Sequence, residues 1–325
     1  MVILIVLVIL FVGLRFGNRR VKKVSPNVSN VRLPNLKVVT YNTHLLPPVA
    51  RLFAGKRSDS EYRCKTIAGH LSQFDLCGLS EVFDEKLAAK MIDELNSDAA
   101  DVFSFTRSPS PTGVFQFSSG GLLLFSRFPI MQQNSLTFSQ GSRFLTTRFQ
   151  AADGLAAKGV LHARLQFDHS QEIDCFLIHL ESFSKPIRTK QLKETASFVK
   201  SHARSGVPYL LMGDLNIVGP LDSDASTYSE YAEMMKRLTI NGFELIDVAL
   251  HPSDGIVKGT SNALTDDGGD RIDYLLLGMP TTNTTRYSAS SNTIRFLDET
   301  VKEGSLSDHA AVVARIEIRN PSQVD

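Results

Sequence analysis

The chain has 325 residues, 42% of them hydrophobic, and a net charge of +1. That is enough apolar material for one large core, and too nearly neutral for a domain that holds polyanions nonspecifically. The neutrality hides an asymmetry: Arg15, Arg19, Arg20, Lys22 and Lys23 crowd the N-terminal stretch, so residues 24–325 carry 30 basic and 34 acidic groups, a balance of −4.

Val2 to Leu14 is an uncharged apolar run followed by that basic cluster. It is shorter than the roughly 20 residues of a comfortable span, but snorkelling side chains extend its reach. Residues 1–24 are therefore expected to anchor the chain to a membrane, with the basic flank favouring a cytosolic catalytic domain. A cleaved signal followed by secretion is the alternative; against it stand the missing basic residue before the run and the lack of a clear cleavage site. A leading core strand fits the continuous apolarity least well. Residues 25–35, polar and with two prolines, read as a linker, and 36–320 as the catalytic domain.

Within that domain strands and helices alternate. Leu36 to Thr40 predicts a strand, Ser60 to Gln73 a helix, Phe74 to Leu79 a strand, and Asp84 to Leu95 a helix with Leu87, Met91, Ile92 and Leu95 at helical spacing. Strands are predicted at Gly121 to Phe125, Lys158 to Phe167 and Ile173 to Leu180, a helix from Pro186 to about His202, and strands at Tyr209 to Met212, Arg271 to Leu277 and Ala310 to Ile318. With no internal repeat and no second linker, the pattern is one α/β domain of sheets covered by helices. Cys64, Cys77 and Cys175 are odd in number and lack metal-ligand spacing, which predicts buried thiols.

Four polar blocks follow one another along the chain: Tyr41-Asn42, Ser80-Glu81-Val82-Phe83-Asp84, Gly213-Asp214-Leu215-Asn216 and Ser307-Asp308-His309. The first three each follow a strand-like run, and layered α/β folds bind ligands at strand C-terminal ends. The residue types suit metal-assisted attack on a phosphate ester. Glu81 is a carboxylate for a hard cation such as Mg²⁺ (Mn²⁺ being the substitute), Asn42 a neutral ligand or positioner, and Asp308 a third member of that shell. His309 is the candidate base, its tautomer fixed by Asp273 or, failing that, by Asp270. Asp214 orients the nucleophile, Asn216 donates to a phosphoryl oxygen, and His179 stabilises developing charge or assists the leaving group. Taken singly, each has a plainer role: Glu81 or Asp214 as a helix cap, Asn42 and Asn216 as turn residues, His179 and His309 as structural histidines, Asp273 as a partner for Arg271. Independent caps have no reason to recur in order with mutually useful chemistry. His44, His70, His162, His169, His202 and His251 are read as structural.

From about Leu36 to Ile318 the chain resembles the endonuclease/exonuclease/phosphatase superfamily, whose fold is a deoxyribonuclease-like four-layer α/β sandwich of two mixed sheets flanked by helices. It is most similar to the bacterial and neutral sphingomyelinases in Glu81-Val82-Phe83-Asp84, Gly120-Gly121, Lys158-Gly159-Val160, His179-Leu180 and Arg188-Thr189-Lys190-Gln191-Leu192. The resemblance implies metal at Asn42 and Glu81, phosphate contacts from Asp214, Asn216 and His179, and His309 as base beside Asp308. It also implies a phosphodiester substrate, foremost a phospholipid such as sphingomyelin, with a nuclease or phosphoinositide phosphatase as the enzymatic alternative and a nonenzymatic membrane-bound scaffold as the alternative of another class. No obligate protein partner is expected. The chain departs from the secreted sphingomyelinases in having no Trp for a membrane-entering hairpin. Phe115 and Phe117 are the candidates to replace it, or else packed aromatics.

Overall fold

The structure, a computed structural model, describes residues 36–46, 59–97, 103–108, 119–141, 157–167, 171–221, 227–265, 268–281 and 286–319. The expected anchor, the linker, Phe115, Phe117, His169 and residue 320 lie outside the described residues. Among those described, no helix is long and apolar enough to cross a membrane.

The elements run β1 (Leu36–Leu45), α1 (Ser60–Leu71), β2 (Leu76–Val82), α2 (Glu85–Leu95), β3 (Ser104–Arg107), β4 (Leu123–Ser126), β5 (Ile130–Thr137), β6 (Gly159–Gln166), β7 (Glu172–His179) and α3 (Lys185–His202). They continue with β8 (Tyr209–Gly219), α4 (Ser229–Leu238), β9 (Phe243–Asp247), β10 (Arg271–Pro280), β11 (Arg286–Ile294) and β12 (Ala311–Arg319). One six-stranded sheet has the order β11-β12-β1-β2-β4-β3, the other β5-β6-β7-β8-β10-β9. Both are mixed: β1 pairs with β2 and β7 with β8 in parallel, while the remaining pairs are antiparallel.

The sheets pack face to face. Val38, Leu76 and Leu124 of the first sheet meet Leu177, Leu210, Met212 and Leu275 of the second in one buried core. The alternate residues of the same strands face outward under helices: Val39, Tyr41 and Leu79 against Cys64, Ile67 and Met91 of α1 and α2, and Phe176, Leu211 and Leu276 against Leu192, Val199 and Met234 of α3 and α4. The central strands are thus covered on both faces, which is why Cys175 to Ile178 and Tyr209 to Met212 are continuous apolar runs rather than alternating ones. Truncating one such side chain, Leu177 for example, is expected to cost ~2–5 kcal/mol.

Two parallel crossovers position the site. β1 reaches β2 through α1, and β7 reaches β8 through α3, so each sheet contributes two neighbouring strand ends pointing the same way. Side chains start α1 and α2: Asp59 accepts from Tyr62 N, and Asp84 from Lys86 N and Leu87 N. The three cysteines are free and buried; burial pushes the Cys64 thiol up to about 12 and raises those of Cys77 and Cys175 as well.

Candidate active site

Three of the strands that end at the site run further than their apolar stretches suggest: β1 to Leu45, β2 to Val82 and β8 to Gly219. They do so through left-handed backbone. Four non-glycine residues among those described have positive φ, and three belong to this region: His44 (49°), Glu81 (59°) and Asn216 (52°). The register between β1 and β2 shifts between Asn42 and Leu45, and that between β8 and β10 between Arg271 and Asp273. Such backbone costs about 1–3 kcal/mol per residue and persists where the surroundings enforce it. Gly213 is part of that enforcement: its φ is 131°, and a Cβ there would lie 1.9 Å from Ile178 O, so only glycine lets β8 approach β7 just before Asp214.

Asp214, almost fully buried, is the centre. Its Oδ2 accepts from Asn42 Nδ2 at 3.0 Å and its Oδ1 from the backbone N–H of Asn216 at 3.0 Å. His179 Nε2 stands 3.7 Å from Asp214 Oδ2 and 3.9 Å from Glu81 Oε1. On the other side, His309 Nε2 lies 4.0 Å from Asp214 Oδ2 and 3.4 Å from Asn42 Nδ2. The far ring nitrogen of His309, Nδ1, pairs with Asp273 Oδ2 at 2.8 Å. Asp273 faces Asp214 across the β8–β10 ladder, and its backbone is fixed by Thr260 Oγ1. Asp270 is held elsewhere, its N–H donating to Ser261 Oγ. Arg271 does not pair with Asp273; it donates to Asp247 at 2.9 Å, in a buried structural bridge.

The electrostatics follow from burial and crowding. Burial, reinforced by the Asp273 charge, raises the Asp214 carboxyl above its ordinary value, against the pull of His309, His179 and Lys158. For His309 burial acts downward, but Asp273, Asp214 and Asp308 outweigh it and lift the imidazole from 6.5 to about 10. Two groups bring three potential ligand atoms within 4.8 Å of one another: Glu81, His179 and Asp214, and Asp214, Asp273 and His309. In the second, His309 and Asp273 are committed to each other. The first offers two carboxylates, one of them buried against like charge, and this fits a hard divalent cation.

Asn42 and Asp308 stand beside these groups with partners of their own. Asn42 turns its amide nitrogen to Asp214 and its Oδ1 to the N–H of His44, so it positions the carboxylate. Asp308 belongs to neither group; its Oδ1 lies 3.2 Å from Ser307 Oγ, and its Oδ2 3.5 Å from His44 Nδ1. Asn216 sends its Nδ2 to Leu180 O at 3.0 Å, the same carbonyl that buried Lys158 holds at 2.9 Å. Sequence reasoning missed several contributors. His44, read as structural, lies at the site beside Asp308. Lys158 and Ser307 stood inside noted motifs without a role, and Arg63 in α1 carried no motif signal. His70, His162 and His202 are structural: His70 stacks on Phe296, and His162 joins Asp174 beside His202.

Known proteins resemble this chain in sequence and fold. Sphingomyelinase C of Bacillus cereus is 22% identical over 244 residues, 70% of this chain and 69% of that protein. A putative neutral sphingomyelinase of Caenorhabditis elegans is 24% identical over 271 residues, 76% of this chain and 59% of that protein. A mutant beta toxin from Staphylococcus aureus, solved with bound magnesium ions, superposes with a TM-score of 0.63 at 17% identity, covering 86% of this chain and 99% of that one; this likeness is one of fold. The Endonuclease/Exonuclease/phosphatase family matches residues 39–309, from β1 to the His309 that closes the site, and the chain belongs to that family.

Proposed function

We propose that this chain is a divalent-cation-dependent phosphodiesterase that hydrolyses a phospholipid, foremost sphingomyelin, releasing phosphocholine and the lipid alcohol, and that residues 1–24 hold it at a membrane. The observation that carries the chemistry is Asp214, shared between the Glu81–His179 group and the Asp273–His309 group. It sets a place for a cation and a candidate base on either side of one buried carboxylate.

Water attacks phosphorus, its proton goes to His309 Nε2, a new P–O bond forms, and the P–O bond to the lipid alcohol breaks. Asp273 holds Nδ1 and thereby turns Nε2 toward the site. Asp214 orients the incoming water, Asn42 keeps Asp214 in place, and Asn216 donates to a phosphoryl oxygen through the Nδ2 hydrogen that Leu180 O does not hold. His179 stands between Glu81 and Asp214, where it stabilises charge on the departing oxygen, whose proton comes from solvent or from His309. A hard cation bound by Glu81 and Asp214, Mg²⁺ or Mn²⁺, supplies positive charge to the phosphoryl oxygens and favours neutral His309.

Two features favour lipid over nucleic acid. The balance of −4 over residues 24–325 disfavours long polyanions. Phe183, Leu221 and Leu264, on loops that follow β7, β8 and β9, are exposed, Phe183 by 66%. The test is a matched panel of sphingomyelin vesicles, phosphoinositides and DNA with Mg²⁺. Phosphocholine release exceeding all other turnover supports the proposal; efficient DNA cleavage or phosphoinositide dephosphorylation without lipid hydrolysis selects the alternative enzyme. A scaffold would turn over nothing.

A further inference from the structure

Arg63, in the first turn of α1, is fully buried, and its fixed fork of donors joins the two chain segments that carry the reacting groups. Nε donates to Leu306 O at 2.7 Å, Nη2 to Thr43 O at 2.6 Å, and Nη1 to His44 O at 3.2 Å. Thr43 and His44 directly follow Asn42, and Leu306 lies three residues before His309. These carbonyls need a donor from outside the sheet. β1 leaves its register with β2 between Asn42 and Leu45, and the left-handed turn at His44 (φ 49°) swings the carbonyls out of the ladder. Buried carbonyls without donors cost about 1–3 kcal/mol each. Ser307 closes the same seam nearer the chemistry, its Oγ donating to Asn42 O at 2.7 Å and accepting from the N–H of His309.

We infer that Arg63 is a positioning residue: by clamping Thr43 and His44 to Leu306 it sets the spacing between Asn42–Asp214 and His309–Asp273. This rests on the phosphodiesterase reading above. A planar guanidinium reaches both segments at once; an ammonium offers three donors from a single point and serves one segment or the other. Small displacements of positioning groups cost rate more than binding.

The experiment compares the full chain with Arg63→Lys, which keeps charge and most of the volume, and with Arg63→Gln, alone and in a His309→Ala background. Kinetics are taken well below each variant's Tm, and backbone hydrogen exchange is read over peptides spanning 42–46 and 305–310. Folded Arg63→Lys should lose ~10–10² in kcat with KM nearly unchanged, and exchange should quicken in both peptides together. In the His309→Ala background the same substitution should cost little more, because both act on one step. Wild-type kcat in a folded, less stable Arg63→Lys overturns the inference, as does a full additive loss on top of His309→Ala. If the wild type hydrolyses no phosphodiester, the proposed function fails, and exchange alone decides on the clamp: protection unchanged in both peptides overturns it. If Arg63→Gln does not fold, Arg63→Lys carries the measurements.

Discussion

Replacing Asp273 by Asn removes one charge and almost no volume, and its consequence can be worked from the geometry. The 2.8 Å contact between Asp273 Oδ2 and His309 Nδ1 fixes which ring nitrogen faces the site. An amide there can donate to Nδ1 and drive the proton onto Nε2, the position that must accept from water. Loss of the carboxylate behind a catalytic imidazole costs up to ~10⁴-fold in other enzymes, so a fall of ~10²–10⁴ in kcat is expected, about 3–5 kcal/mol. Asp273 is also the largest influence that raises His309, ahead of Asp214 and Asp308 and against burial, so Asp273→Asn must lower its pKa and move the acid limb of the kcat profile to lower pH. The stability effect has a definite sign. A folded-state value raised to about 10 stabilises the metal-free fold fully below the unfolded value of 6.5, and that contribution disappears as pH rises through about 10. The Tm gap between wild type and variant should therefore be widest in mild acid and narrow toward pH 10. Kinetics and melting are measured on one preparation over this range. A folded variant with kcat within about threefold of wild type and an unmoved pH profile would refute the dyad.

Chelation should abolish turnover and Mg²⁺ restore it; the cation should also raise Tm, by about 2.7 kcal/mol of stability at a hundredfold excess over Kd, and Glu81→Gln should lose most of both effects, which activity persisting in excess chelator would contradict. Gly213→Ala should destabilise the fold by ~3 kcal/mol or more, since its Cβ would collide with Ile178 O at left-handed φ; a denaturant midpoint close to wild type would show that β7 and β8 can separate there. Phe183→Ala should slow hydrolysis of vesicle lipid while sparing a small soluble phosphodiester; equal effects on both would exclude a surface role.

The strands legible in the sequence are the internal ones of each sheet. β1, β2, β4, β6, β7, β8, β10 and β12 are the internal strands, and each overlaps a predicted stretch, although β1, β2 and β8 run past theirs to Leu45, Val82 and Gly219. The strands that left no signal are the four sheet edges, β11 and β3 in one sheet, β5 and β9 in the other. An edge needs only one paired side and protects the other with polarity, as in Met131-Gln132-Gln133-Asn134-Ser135 of β5 and the serine-rich Arg286–Ile294, and so loses the pattern that marks a strand. α4 carries no start signal: no side chain caps it at Tyr228, and no proline opens it as Pro186 opens α3. In the site, the residue types and their order announced Asp214, Asn216, His179, His309 and Asp273 as neighbours. Which carboxylate stands with Glu81 depends on where β1 and β8 leave regular backbone, and periodicity does not encode left-handed turns at His44, Glu81 and Asn216. Arg63 was invisible for a related reason: the carbonyls it serves exist only because β1 breaks register.

The most direct test of the account is phosphocholine release from sphingomyelin vesicles by the full chain in Mg²⁺, run beside His309→Ala with the Tm of both recorded. The account predicts turnover by the wild type and a loss of ~10²-fold or more in the variant, with little change in substrate affinity. Equal turnover by the two folded proteins, or none by the wild type on any phosphodiester of the panel, would contradict it.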